Sequence, residues 1–276
     1  DAFYHCLNLT SAIIANDDTN RGVTKASDVS ENSGTNIGSD AFAYCQNLTS
    51  VTIGSGVASI GERAFADCNN LVSVTLNSDS VVSASRTSST SMNTIFGEQV
   101  KTYIIGDSVN SIGDYAFYHC TGLTSIIISD SVTSIGSKAF YDCSSLTSII
   151  NGNGVTSIGS DAFKGAAWYD NQPDGLTYIG KVAYMYKGEM APNTHITIED
   201  GTTEIASRAF NGYDALSSID IPKSVIKIGE RAFYGCTNLI SVSGGDNITN
   251  IERNAFNNTA WYTNLPDGLN YLGKAA

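Results

Sequence analysis

The sequence is short of the residues that many catalytic, redox and nucleic-acid-binding chains depend on. Proline occurs only 4 times in 276 residues, so rigid breaks are rare. Lys and Arg number 15 against 27 Asp and Glu, a net charge of −12, and no basic cluster stands out. Binding to nucleic acid needs cations against phosphate, and binding to an anionic membrane surface needs them too. Both are disfavoured, and no nucleic acid is expected as a partner. No apolar run approaches the roughly 18 residues of a spanning helix, so no membrane insertion by this segment is expected. The 6 cysteines include no Cys-x-x-Cys pair for zinc or redox work. The stretches Asn16-Asp17-Asp18 and Asp170 to Gly175 lack the terminal glutamate of an EF-hand loop and read as solvated loops. No GxGxxG or Walker loop is present. No metal and no cofactor are expected. The first residues, DAFYHC, are not a signal peptide. They begin inside a repeat and GKAA stops inside one, so the chain reads as a piece of a longer protein.

What is present is repetition. In SIGDYAFYHCTGLTSIIISDSVTSIGSKAFYDCSSLTSII, Ser111-Ile112-Gly113 returns as Ser134-Ile135-Gly136, Ala116-Phe117 as Ala139-Phe140, and Cys120 as Cys143, each after 23 residues. The same step separates Phe42 from Phe65, Phe140 from Phe163, Phe210 from Phe233 and Phe233 from Phe256. Phe3 starts the series, Ile95-Phe96 marks a decayed repeat, and Tyr184 to Glu189 fills the widest later gap, for about eleven turns in all. A longer period maps Phe117, Phe140 and Phe163 onto Phe210, Phe233 and Phe256, and Trp168-Tyr169 onto Trp261-Tyr262, at an offset of 93. Duplication at a fixed period marks a stacked array in which each unit contacts its neighbours.

Each period reads Leu-x-x-Ile-x-Ile, Ser-Val-Thr-Ser-Ile-Gly, x-x-Ala-Phe-x-x-Cys. Ile126 and Ile128 alternate as a strand does, with Ile127 pointing the other way. Val132 and Ile135 mark a second extended piece ended by Gly136, and the glycines of these triplets read as turn glycines. Ser137 to Cys143 is long enough for about two helical turns, with Ala139 and Phe140 inward. Leu-x-x-Ile-x-Ile fits a leucine-rich-repeat strand. With Ser-Ile-Gly-x-x-Ala-Phe-x-x-Cys-x-x-Leu-Thr-Ser-Ile, the unit resembles the BspA-like leucine-rich repeats of bacterial and protist surface proteins, over most of the chain. The resemblance implies a β-rich α/β solenoid, a right-handed superhelix with a parallel sheet on its concave face. It also implies an extracellular, cell-surface location and adhesion to host matrix or other cells.

Residues 1–276 are thus expected to form a single solenoid, truncated at both ends. The polar insert 16–34 should leave the array as a loop, and segments 78–95 and 168–198 depart from the repeat. Within them, 83–94 is Ser/Thr-rich and expected to be mobile, and LTYIGKVAYMY reads as a hairpin turning near Gly180-Lys181.

Cys6, Cys45, Cys68, Cys120, Cys143 and Cys236 each lie three residues after a repeat phenylalanine. Cysteine is small and readily buried, so they are expected as an internal column of free thiols. Stacked turns lie within disulfide range, which leaves a bridge as one alternative and a metal site as another. His5 and His119 share a repeat position that Tyr44, Asp67, Asp142 and Gly235 occupy elsewhere, which suggests an exposed, indifferent site. A catalytic histidine, whether His5, His119 or His195, would need a positioned nucleophile and an orienting carboxylate, and the abundant serines belong to the repeat, so a hydrolytic triad is not favoured. The asparagines of the Asn-x-Ser/Thr sequons at Asn8 and Asn47 belong to the repeat text. Trp168 and Trp261 are expected to plug the core where the unit changes shape; an interface contact is the other reading.

The candidate binding residues lie on the outward positions of the strands. Ser125 and Ser148 belong to a nearly constant serine rank, and Ile104, Ile127 and Ile150 stand on consecutive turns beside it. A contiguous apolar stripe marks a contact surface, although isoleucine also suits a strand whichever way it points. The function expected is a protein-binding surface module. A passive spacer in a large surface protein is the alternative, and a hydrolytic enzyme is the least favoured class.

Overall fold

The computed structural model describes residues 3–14, 34–265 and Leu272. The expected loop at 16–34 lies, but for Gly34, outside them. The chain divides into two compact units, Asp1–Gly154 with Asp161–Asn171, and Val155–Ser160 with Gln172–Ala276.

In the first unit the strands Ser11–Ile14, Ser50–Ile53, Ser73–Leu76, Thr102–Ile105, Ser125–Ile128 and Ser148–Asn151 form one six-stranded sheet in chain order. Every pairing is parallel and unshifted, so Ser50 stands beside Ser73 and Ile104 beside Ile127. In the second unit Thr194–Thr197, Leu216–Ile221 and Ser241–Gly244 form a three-stranded parallel sheet. Each strand is one turn of a parallel β-solenoid, nine turns among the described residues against the roughly eleven that the phenylalanines mark. The difference has a local cause. After Phe163 and Phe256 the strand is replaced by a short helix, Ala167–Asp170 and Ala260–Thr263.

Alternation decides what is buried. Leu123, Ile126 and Ile128 are fully buried, as are Leu71, Val74 and Leu76 one turn earlier. The phenylalanines form a stack: Phe3, Phe42, Phe65 and Phe96 follow one another at 4.8 to 4.9 Å between ring centroids, and Phe117, Phe140 and Phe163 at 5.0 and 4.9 Å. Where the period is broken, Tyr103 inserts edge-on between Phe96 and Phe117. Trp168 covers Phe163, and in the second unit Trp261 covers Phe256. Each tryptophan therefore lies against the last phenylalanine before the turn where the strand is lost.

The corner Ser137–Cys143 is not helical. Lys138 and Asp142 are left-handed, with φ of 53° each, and so are Tyr115 and His119 one turn before. The backbone N–H groups of Tyr115, Phe117 and His119 donate to Ser137, Ala139 and Tyr141 of the next turn. With these donors committed between turns, no i→i−4 ladder forms. The position shared by His5, Tyr44, Asp67, His119, Asp142 and Gly235 is this left-handed site. Its variety reflects a backbone demand that Gly, Asn, Asp and His meet most readily.

The Ser/Thr-rich segment is pinned in place. Arg86 donates through its guanidinium to the carbonyls of Thr90 and Val81, and its backbone N–H reaches Asp114. Met92 is fully buried. The hairpin forms as expected, from Gly175–Ile179 and Val182–Lys187. Its second strand continues in parallel to Glu204–Ile205, Lys227–Ile228 and Asn250–Ile251.

In that second sheet Glu204 is 1% exposed, with Lys227 Nζ 3.4 Å from its Oε1 and 3.1 Å from Glu252 Oε1. Burial raises the Glu204 pKa, against the opposing pull of Ser157 and Lys227. A carboxyl raised in the folded state binds its proton more tightly there than in the unfolded chain. Its stabilising contribution is full below the ordinary carboxyl range and is lost as pH rises through the raised value. The melting temperature of the wild type should therefore fall relative to Glu204→Gln across that window. A difference that stays constant from pH 4 to pH 8 would contradict this.

Candidate functional site

The six-stranded sheet of the first unit presents two outward ranks. One is Ser11, Ser50, Ser73, Thr102, Ser125 and Ser148; the other is Ile13, Thr52, Thr75, Ile104, Ile127 and Ile150. The structure brings Ile104, Ile127 and Ile150 side by side in register, next to Ser125 and Ser148. Ile150 is 42% exposed, while Ile104 and Ile127 are half-buried between their neighbours. The Ser125 hydroxyl lies 3.1 Å from that of Thr102, so the polar rank is linked across turns.

Sequence reasoning missed Ile13, which stands 54% exposed at the far end of the same rank. The signal was present in Ser11-Ala12-Ile13-Ile14, which repeats the outward Ser-x-Ile of Ser125-Ile126-Ile127. It was hidden by the 39-residue step between Phe3 and Phe42. None of the twelve outward side chains is charged, in a chain of net charge −12.

All six cysteines are free in the structure; five are buried and Cys6 is half-buried. The packing gives them a role that spacing did not reveal. The thiols of Cys45, Cys68, Cys143 and Cys236 donate to the carbonyls of Phe3, Phe42, Phe117 and Phe210, each one turn back, at 3.0 to 3.1 Å. Tyr213, at the same repeat position, donates its hydroxyl to Tyr186 O in the same way. Burial pushes the thiol of Cys68 up to about 11 and those of Cys143 and Cys236 to about 12. Thiolate chemistry at neutral pH is thereby suppressed. Among the described residues no group of three or more His, Cys, Asp or Glu side chains is placed to hold a metal ion.

Stacked parallel strands with buried Leu and Ile at fixed positions define a leucine-rich-repeat protein. The chain belongs to the family of the BspA type leucine rich repeat region, which matches in six copies over residues 24–91, 88–187 and 169–276. Among the solved structures similar to it are three of bacterial proteins. One is a leucine rich cell surface protein of Faecalibacterium prausnitzii A2-165, 24% identical over 87% of this chain and 70% of that one, with a TM-score of 0.32. Another is the pneumococcal vaccine antigen PcpA, 19% identical over 92% and 65%, with a TM-score of 0.39. The third is the T. pallidum leucine rich repeat protein TpLRR, 18% identical over 94% and 79%, with a TM-score of 0.29. No curated protein matches the chain. Family membership supports a surface or protein-interaction module. Among the described residues no helix is long and apolar enough to cross a membrane.

Proposed function

We propose that this chain is an extracellular adhesion module that binds a protein of host matrix or of another cell. The partner docks on the outward face of the six-stranded sheet, across Ile104, Ile127 and Ile150 with Ser125 and Ser148. The observation that carries this is the row of isoleucines in register on an uncharged face, in an otherwise acidic chain. Contiguous apolar surface of this kind is typical of contact sites, and the hydroxyl rank beside it supplies hydrogen-bond partners that need no charge.

A neutral face predicts binding that changes little with salt, because no exposed ion pair is there to be screened. Binding to matrix-coated surfaces should therefore survive a rise from about 0.1 to 1 M salt, a range over which the Debye length falls from about 10 to 3 Å. It should drop at least tenfold in Ile127→Asp, which places a charge in the centre of the row. Steep salt dependence, or full binding by a folded Ile127→Asp variant, would remove this face from the account. No binding by the wild type to any matrix or cell surface would leave the spacer reading.

A further inference from the structure

The sheet of the second unit carries a different arrangement on its outward positions. His195 stands beside Ser218 in register, and Thr197 beside Asp220 and then Ser243. His195 Nδ1 lies 2.7 Å from Ser218 Oγ, and its Nε2 lies 3.2 Å from Asp220 Oδ2. Thr197 Oγ1 is 3.3 Å from the same Nε2, and Ser243 donates its hydroxyl to the other oxygen of Asp220. An ionised carboxylate only accepts hydrogen bonds, so Nε2 carries the ring proton and the Nδ1 lone pair faces the Ser218 hydroxyl. The base is thus oriented by a carboxylate that is itself held from the next turn. A nucleophile, a base and an orienting carboxylate are recognised by these roles, whatever their order in the chain.

We propose that Ser218 is an activated nucleophile that captures acyl groups from activated esters, alongside the binding role of the other unit. Ser218 Oγ attacks the ester carbonyl carbon and its proton passes to His195 Nδ1, while Asp220 stabilises the imidazolium. The bond from carbonyl carbon to leaving oxygen breaks, and the leaving alcohol takes the proton from Nδ1. Water then attacks the Ser218 ester, gives a proton to Nδ1, and releases the acid as the proton returns to Ser218 Oγ. Backbone N–H groups of a parallel strand point along the sheet toward its neighbours and not past an outward side chain such as Ser218, which disfavours an oxyanion hole there. Capture followed by slow hydrolysis is therefore expected, rather than rapid turnover. His195 and Asp220 have side chains 50% and 51% exposed, so an ester has access.

The serine rank of the first unit is an internal control. Ser125 occupies the same repeat position as Ser218, but its side-chain partner is the Thr102 hydroxyl. Treating the folded chain with p-nitrophenyl acetate and mapping acetyl groups by mass spectrometry tests the proposal. Ser218 should acetylate about 100-fold faster than Ser125, the lower end of what a positioned general base contributes. The excess should vanish in His195→Gln and shrink in Asp220→Asn. Equal acetylation of Ser218 and Ser125 in the wild type would overturn the proposal without reference to any variant. So would an excess at Ser218 that persists in a folded His195→Gln chain.

Discussion

Replacing Phe140 by alanine is expected to cost about 3–5 kcal/mol of unfolding free energy, the range for a buried aromatic truncated in a core that cannot collapse. Phe140 is fully buried, with Phe117 at 5.0 Å on one side and Phe163 at 4.9 Å on the other. The turns that carry both neighbours are tied to the turn of Phe140 by backbone hydrogen bonds, Phe117 N to Ala139 O and Phe140 N to Ala162 O, so the rings have little freedom to close the gap. Turns in such an array are coupled to nearest neighbours, and a break in the middle is felt on both sides. Phe3 is only half-buried and, among the described residues, stacks on Phe42 alone, so Phe3→Ala should cost clearly less. Urea unfolding of the two variants makes the comparison. A Phe140→Ala cost below about 1 kcal/mol would show that the ring stack is not the spine of the first unit.

A single methyl group at Gly136 should be nearly as damaging. The Ser-Ile-Gly glycines do not sit at positive φ; their role is close approach. A Cβ at Gly136 would lie 2.4 Å from Asp114 N and 2.6 Å from Gly113 C, both backbone atoms of the preceding turn. At Gly229 it would lie 2.4 Å from Ser207 N. Backbone joined into a sheet on both sides has little room to move, so Gly136→Ala is expected to cost at least the ~1–3 kcal/mol of ordinary overpacking. Gly38 occupies the same repeat position, yet a Cβ there meets nothing within 4 Å. Gly38→Ala should therefore be neutral within about 0.5 kcal/mol. Equal costs at the two sites, measured by denaturant unfolding, would mean that the clash with the preceding turn is not what selects glycine.

These two sites also show how much the sequence could disclose. The period, the buried Ile126 and Ile128, the hairpin and the outward rank of Ile104, Ile127 and Ile150 all follow from spacing. A 23-residue step puts equivalent residues side by side, and strand alternation decides which way they face. The corner Ser137–Cys143 misled because Ala139 and Phe140 lie inward in a helix and in this corner alike. Only the backbone shows that the N–H groups of Phe140 and Asp142 are committed to the next turn, at Ala162 O and Lys164 O. The glycine at 136 looked like a turn residue because a contact with the preceding turn leaves no mark in its own repeat.

The grouping of His195, Ser218 and Asp220 was missed for another reason. Ser218 lies one period beyond His195 and Asp220 two residues further, so the register alone could have found them. The irregular segment before His195 concealed that Thr194–Thr197 is a strand of the sheet. In the same way, the repeat text concealed that in two of the expected turns a helix, at Trp168 and at Trp261, stands where the strand was expected.

The most direct test of the account is equilibrium binding of the triple variant Ile104→Ser, Ile127→Ser, Ile150→Ser to the surface that the wild type recognises. These side chains point away from the core and serine already fills the adjacent rank, so the variant should fold with an unchanged circular dichroism spectrum. The account predicts that its affinity falls by at least tenfold, about 1.4 kcal/mol. A folded triple variant that binds as tightly as the wild type would contradict it.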